Sequence, residues 1–271
     1  MNGRTIFVVS WMAFLFVLSW VIAMGRLIGI HFWDRKSALA HLQKQSGDPT
    51  LYNSTAFEDV GISYFTYRYI YFLPHVIGAI IWWNFYFIQL IPSIRKTYKS
   101  FHRWMGRILM VTSTVQAITG FGLAALSLSA TIKSVSFVYG ISILYCVYRA
   151  WTAAIAKDIP KHKHWVLRLV GYSQTIALQR FFFILLLVLH QMGFYFMFPS
   201  VEGSSMEEIN RVVMGIFDQG FVLAVLTSYL FTEWYLDAQD GWMEAPAATI
   251  VNPSTSEPAA EEKKLLYSSV P

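Results

Sequence analysis

The chain has 271 residues, of which 55% are hydrophobic, 17% aromatic and only 14% charged, and its formal net charge is +5. Soluble domains carry about 25% charged residues, so this composition argues against a soluble enzyme and, outside the C-terminal region, against a disordered chain. A single cysteine, Cys146, excludes a disulfide framework and any zinc or iron–sulfur site built on cysteines. The composition therefore indicates an all-α, multi-pass integral membrane protein.

Six apolar stretches are long enough to cross a membrane as helices. A spanning helix needs about 20 mostly apolar residues, and lipid leaves such a stretch no other way to satisfy its backbone amides. The stretches are residues 5–30, 69–91, 108–130, 135–156, 171–197 and 212–231. We expect a polytopic helix bundle over residues 1–236 with about six transmembrane helices. Alternatively the first stretch is a cleaved signal peptide, which would leave five.

Basic residues between the stretches predict the orientation. Lys and Arg are concentrated in the second and fourth loops, whereas the third and fifth loops carry few. Because cytoplasmic loops carry the excess of Lys and Arg, both termini are predicted to be cytoplasmic and the first loop, residues 31–68, to be external. Asn53-Ser54-Thr55 in that loop is a glycosylation sequon, which makes Asn53 a candidate glycosylation site.

The C-terminal region differs in composition from the rest. Residues 237–271 are rich in Pro, Ala, Ser and Glu, which predicts a disordered cytoplasmic tail. Glu261-Glu262-Lys263-Lys264-Leu265-Leu266 is similar to a dileucine sorting signal. The protein is therefore expected in the plasma membrane or in an endomembrane.

Ionisable side chains within the predicted spans are costly, and this makes them candidate functional residues. His75, His190 and Asp218 lie at similar depths, about 10 Å below the outer surface at a rise of 1.5 Å per residue. If their helices are neighbours, His75 and His190 could ligate a b-type haem, or all three residues could bind another metal ion. Alternatively the histidines only hydrogen-bond between helices and Asp218 pairs with Arg180.

A second set of candidates lies at the predicted cytoplasmic face. His102-Arg103-Trp104-Met105-Gly106-Arg107 opens the third span and His164-Trp165-Val166-Leu167-Arg168 opens the fifth, and each places a histidine about one turn before an arginine. Arginine and histidine at a helix N-terminus favour anions, so Arg103, Arg107 and Arg168 are candidate anion-binding residues, together with Arg180. Alternatively His102 and His164 ligate a second haem, or the basic residues simply hold anionic lipid. His162 is interpreted as a solvated loop residue.

From about Tyr71 to Leu189 the sequence resembles the predicted membrane-protein family called domain of unknown function 2306. The resemblance is carried by His75 with Gly78, Gln89, Arg95, the segment from His102 to Arg107, the segment from His164 to Arg168, and Arg180. It implies a multi-pass helical fold and a shared set of His and Arg positions, but no reaction. The sequence is more loosely similar to transmembrane di-haem cytochromes, which usually draw four axial histidines from four helices, whereas His164 and His190 lie on or beside one helix.

Three functions are compatible with these features. The first is a haem-b-binding, electron-transferring oxidoreductase with the outer and inner histidine pairs as ligands. The second is a membrane-embedded enzyme or carrier for a lipophilic or phosphorylated small molecule, in which the arginines position an anionic group and His75 or His164 transfers a proton. The third is a non-catalytic structural or accessory protein. Membrane lipid and a small lipophilic or anionic substrate are the expected partners, and short basic loops on so hydrophobic a chain argue against nucleic acid.

Overall fold

The computed structural model describes residues 10–11, 13–17, 63–195 and 198–243. These residues are helical apart from short connections, and no strand occurs among them. The helices are labelled α1 (Tyr69–Leu90), α2 (Lys99–Ala125), α3 (Ala130–Ile155), α4 (Ile159–Ser173), α5 (Thr175–Gln191) and α6 (Met206–Met243). Short helical segments, Ser63–Phe65 and Pro92–Thr97, precede α1 and α2. Residues 10–11 and 13–17 are also helical.

The described residues contain five helical stretches that are long and apolar enough to cross a membrane. They are Tyr69–Leu90, Lys99–Ala125, Ala130–Ile155, Ile159–Gln191, which combines α4 and α5, and Glu207–Asp237 within α6. The prediction of an all-α, polytopic membrane bundle is therefore confirmed. Most of the first predicted span, residues 5–30, lies outside the described residues, as do residues 31–62 of the predicted external loop and Asn53 within it.

Several helices extend beyond the apolar stretches that predicted them. Helix α2 begins at Lys99 rather than residue 108, and α4 begins at Ile159 rather than residue 171. Helix α6 ends at Met243, so the start of the predicted disordered tail is helical, and residues 244–271 lie outside the described part. Hydropathy detects only the segment within hydrocarbon, whereas a helix continues past it because each added residue gains another backbone hydrogen bond. The basic residues that open α2 and α4 therefore lie on helices rather than in loops.

The helices pack as consecutive antiparallel neighbours. Helix α1 packs against α2, α2 against α3, and α3 against α4, and α6 lies along α4 and α5, where Thr175 Oγ1 is 2.6 Å from Ser228 Oγ. They form one compact unit as far as Trp234, and a second unit begins at Tyr235. The core of the first unit draws on all six helices; it includes Trp82, Trp83, Tyr86, Leu109, Ile143, Cys146, Ala150, Leu169, Leu178 and Ala224.

The antiparallel order brings two connections to the same end of the bundle. The α1–α2 connection contains Pro92–Thr97, and the α3–α4 connection contains residues 156–158. Together with the first three turns of α2 and of α4, these connections form what we call the basic end, where most of the described Lys and Arg residues lie. The α2–α3 connection lies at the opposite end.

Candidate functional site

The two histidines of the predicted outer site make separate contacts. His75 Nδ1 on α1 lies 3.0 Å from the Gln116 carbonyl oxygen and 3.2 Å from Thr119 Oγ1, both on α2. His190 Nε2, at the end of α5, lies 3.0 Å from the Pro199 carbonyl oxygen. His75 thus ties α1 to α2, as the hydrogen-bonding alternative predicted, whereas His190 ties the end of α5 to the connection that follows it.

Asp218, the third residue of the predicted outer site, has a hydrogen-bond partner different from those of His75 and His190. Its Oδ2 accepts a hydrogen bond of 2.6 Å from Ser129 Oγ, and the Ser129 hydroxyl oxygen also accepts from the backbone N–H of Ile132 at the start of α3. Among the described residues no group of three or more His, Cys, Asp or Glu side chains could hold a metal ion. The expected site of His75, His190 and Asp218 is therefore not assembled, because hydrogen bonds direct the three side chains to different partners. Arg180 lies near α6, with Cζ 5.9 Å from the Phe217 ring centroid.

Two of the cavities in the described part of the bundle have linings that contain no histidine. A groove of about 420 Å³ is lined by Thr66, Tyr67, Tyr69, Ile70, Leu73 and Pro74. A cavity of about 20 Å³, the size of one water molecule, is lined by Trp11, Leu15, Gly171, Gln174, Leu178, Thr227, Ser228, Phe231 and Thr232. Neither cavity therefore gives a haem ring a place beside His75, His102, His164 or His190.

Arg168, a candidate anion-binding residue, is held by a carboxylate of the protein itself. Its Nε and Nη2 donate to Glu233 Oε1 and Oε2 at 2.8 and 2.6 Å, and the Tyr172 hydroxyl donates to the same Oε1 at 2.6 Å. The Tyr172 ring stacks on Tyr229 of α6 with centroids 3.9 Å apart. Glu233 was not predicted from the sequence, because it follows the apolar stretch of α6. The signal that could have identified it is an acidic residue at the same end of the bundle as the basic start of a helix.

A third histidine lies near the predicted inner pair of His102 and His164. His162 is close enough to His102 for the two imidazoles to interact electrostatically, and Arg95 and Arg103 are also near His102. His162 is not a solvated loop residue, because it lies on α4 and its Nδ1 donates to the Ala150 carbonyl at 2.9 Å. His164, two residues further along α4, lies close enough to Glu233 to interact electrostatically with its carboxylate.

The least satisfied polar groups of the basic end lie between α1 and α2. The Gln89 side chain is only 7% exposed, and neither its Nε2 nor its Oε1 has a hydrogen-bond partner among the described residues. It lies beside Gly106, where an added Cβ would be 3.8 Å from Gln89 Oε1. One turn earlier on α2, the buried His102 Nδ1 is likewise unpartnered among these residues. We call Gln89, His102 and His162 the polar cluster.

This combination of groups suits an anionic oxygen. Buried polar atoms are normally hydrogen-bonded, and leaving one unpaired costs about 1–3 kcal/mol. An amide N–H, an imidazole N–H and nearby guanidinium groups are all donors that a phosphate or carboxylate can accept from. The guanidinium of Arg107 contacts an aromatic ring, with Cζ 5.2 Å from the ring centroid of the exposed Trp104.

Comparison with known proteins identifies one family. The family model described as "Predicted membrane protein (DUF2306)" matches residues 72–227. No curated protein and no solved structure matches the chain. The matched range includes Gln89, His102 and His162 and ends before Glu233.

Proposed function

The chain belongs to the family of predicted membrane proteins DUF2306, and from this starting point we propose that it is a membrane-embedded binding protein or carrier for a small anionic molecule. The proposed binding site is the polar cluster at the basic end. The observation that carries the proposal is Gln89, whose buried amide has no hydrogen-bond partner at either end among the described residues. A phosphorylated or carboxylated molecule is the proposed class of ligand.

The polar cluster is energetically unfavourable without a ligand. An unpaired buried amide lowers the free energy of unfolding. Proteins commonly accept such a loss of stability at a binding site, where the group is needed to contact the ligand. Gln89 supplies two donors and one acceptor, and His102 supplies a further ring nitrogen. Arg95 and Arg103, which are near His102, add positive charge that strengthens hydrogen bonds to an anion.

Haem-dependent electron transfer is the less favoured proposal. It requires paired imidazoles beside a space for the ring, but His75 and His190 bond to different parts of the backbone. His102 and His162 do lie near each other, but Arg95 and Arg103 are also near His102, and these positive charges suit an anion.

Replacing Gln89 by methionine tests the proposal. Methionine keeps the approximate volume and removes the unpaired polar atoms, so the Gln89→Met protein should be more stable than wild type by about 1–3 kcal/mol. Thermal unfolding in detergent is measured with and without inorganic phosphate or glycerol 3-phosphate. A ligand that binds only the folded state raises its melting temperature, so wild type should be stabilised and Gln89→Met should not respond.

Ser113→Ala is the matched control. Ser113 is also buried, on α2, but its hydroxyl donates to the Leu109 carbonyl of the same helix at 2.8 Å. This variant should respond to the probes as wild type does. A wild-type protein indifferent to both probes, or a Gln89→Met protein that keeps the full response, would contradict the proposed site.

A further inference from the structure

Arg149 is a cation within α3 for which none of the described residues provides a carboxylate. It lies six residues before the end of α3 at Ile155, about 9 Å inside that end at 1.5 Å per residue. Its Nη1 donates to the Tyr145 hydroxyl at 2.6 Å, which keeps the guanidinium ordered but leaves its charge uncompensated. No described carboxylate lies within ion-pair distance of it.

A second guanidinium shares the same aromatic ring. Arg149 Cζ is 4.6 Å and Arg168 Cζ is 4.5 Å from the ring centroid of Trp165 on α4. Glu233 neutralises only Arg168. One indole is thus flanked by two cations while one carboxylate is present, and the net charge of this group is positive.

Arg149 lies at the margin of an exposed face of α3. Its side chain is half-buried against Trp165, but its hydrogen bond to Tyr145 is exposed. Tyr145, Tyr148, Trp151 and Ile155 on this helix are exposed, with 71% of Ile155 accessible. A cation near apolar surface at the edge of the hydrocarbon requires a counter-ion or water, and here the neighbouring molecules are lipids. Tyrosine and tryptophan are the side chains that occupy the headgroup level of a bilayer.

We propose that Arg149, with Tyr145 and Trp165, forms a binding site for the phosphate of an anionic phospholipid. A guanidinium offers a phosphate two parallel N–H donors, and the stacked indole fixes its plane. A lipid with net negative charge is preferred over a zwitterionic one, whose ammonium group would meet the net positive charge of Arg149 and Arg168. This site lies on the lipid-facing surface and does not depend on the polar cluster.

Phospholipid binding at this site is measured by the lipids that the protein retains. The full-length protein is reconstituted in an equimolar mixture of phosphatidylglycerol and phosphatidylcholine, and the lipids that remain bound after gentle delipidation are counted by native mass spectrometry. Wild type should retain phosphatidylglycerol preferentially, and Arg149→Gln should lower that preference about fivefold, the effect expected for one basic residue near an anionic surface. Lys163→Gln, which removes one exposed positive charge from the same end of α4 but no guanidinium held against an indole, should lower the preference less than Arg149→Gln does.

Two further measurements keep the proposal testable if Arg149→Gln does not fold. Arg149→Lys retains the charge but loses the planar fork, so it should keep only part of the preference. The melting temperature of wild type should rise more with phosphatidylglycerol than with phosphatidylcholine. Equal retention of the two lipids by wild type would overturn the proposal, as would equal losses in Arg149→Gln and Lys163→Gln.

Discussion

Individual side chains at the basic end divide into those bonded within the bundle and those that are not. Arg168 is bonded to Glu233, and His162 to the Ala150 carbonyl. Gln89 and His102 retain buried atoms without a partner among the described residues. Since a ligand gains most where it satisfies groups that the protein leaves unpaired, the second class forms the proposed binding site and the first class would hold that site in place.

Glu233 is expected to stabilise the protein through its bidentate ion pair with Arg168. Glu233→Gln removes the charge and one strong acceptor, and should lower the free energy of unfolding by about 1–3 kcal/mol; the 37% exposure of the Glu233 side chain limits the loss by screening. Denaturant unfolding in detergent is the measurement. Glu207→Gln, which breaks the exposed 3.2 Å pair with Arg211, should cause no measurable change. Equal stability of Glu233→Gln and wild type would show that the Arg168 contact adds nothing.

Helices α5 and α6 approach each other closely at a glycine. A Cβ added to Gly220 on α6 would lie 3.1 Å from the backbone nitrogen and 3.3 Å from the Cα of Phe183 on α5. Small residues permit such close packing of membrane helices, where dispersion contacts and hydrogen bonds rather than the hydrophobic effect hold neighbours together. This contact fixes the distance between the two helices that carry Arg180 and Asp218.

Substitution of Gly220 should therefore separate the two helices. Gly220→Ala is expected to lower the free energy of unfolding by about 1–3 kcal/mol, because the obstructing atoms are backbone and cannot move aside. Gly106→Ala is the control, since its Cβ would have an ordinary contact of 3.8 Å and alanine favours a helix over glycine by up to about 1 kcal/mol. The prediction fails if both variants unfold at the same denaturant concentration as wild type.

At the scale of the whole molecule, the basic residues are concentrated at one end of the bundle. The α1–α2 and α3–α4 connections lie at one end together with the helix starts that carry the Lys and Arg residues. This arrangement is what the positive-inside rule requires of a cytoplasmic face. The polar cluster and the proposed phospholipid site are both at this end, so the predicted orientation would expose both to the cytoplasmic leaflet and its anionic lipids.

The orientation can be tested at Asn53, which lies outside the described residues. If the first loop is external, the protein expressed in eukaryotic cells should carry a glycan at Asn53, and treatment with an N-glycosidase should increase its gel mobility. Asn53→Gln should migrate like the deglycosylated protein with or without the enzyme. Thr55→Ser keeps the sequon and should behave as wild type. An unmodified wild-type protein would argue against an external first loop.

Local features of the sequence determined the fold class. Hydropathy is a sum over neighbouring residues, so it can be read from the sequence alone. A span of about 20 apolar residues has no alternative to a helix in lipid. The start of α1 was accordingly predicted at Tyr69, where the structure has it. The resemblance carried by His75, Gln89 and the segment from His102 to Arg107 is confirmed by the family match. Helix starts rich in Lys and Arg were placed too late, because hydropathy does not register a helix outside the hydrocarbon.

Only the tertiary structure decided which side chains meet. His162 comes near His102 because of the rotation of α4 about its axis, and no local sequence pattern determines that rotation. The pairing of Arg168 with Glu233 and the isolation of the Gln89 amide likewise depend on helices far apart in sequence. A residue's type and spacing determine what it can bond to, whereas helix packing determines which partner it has.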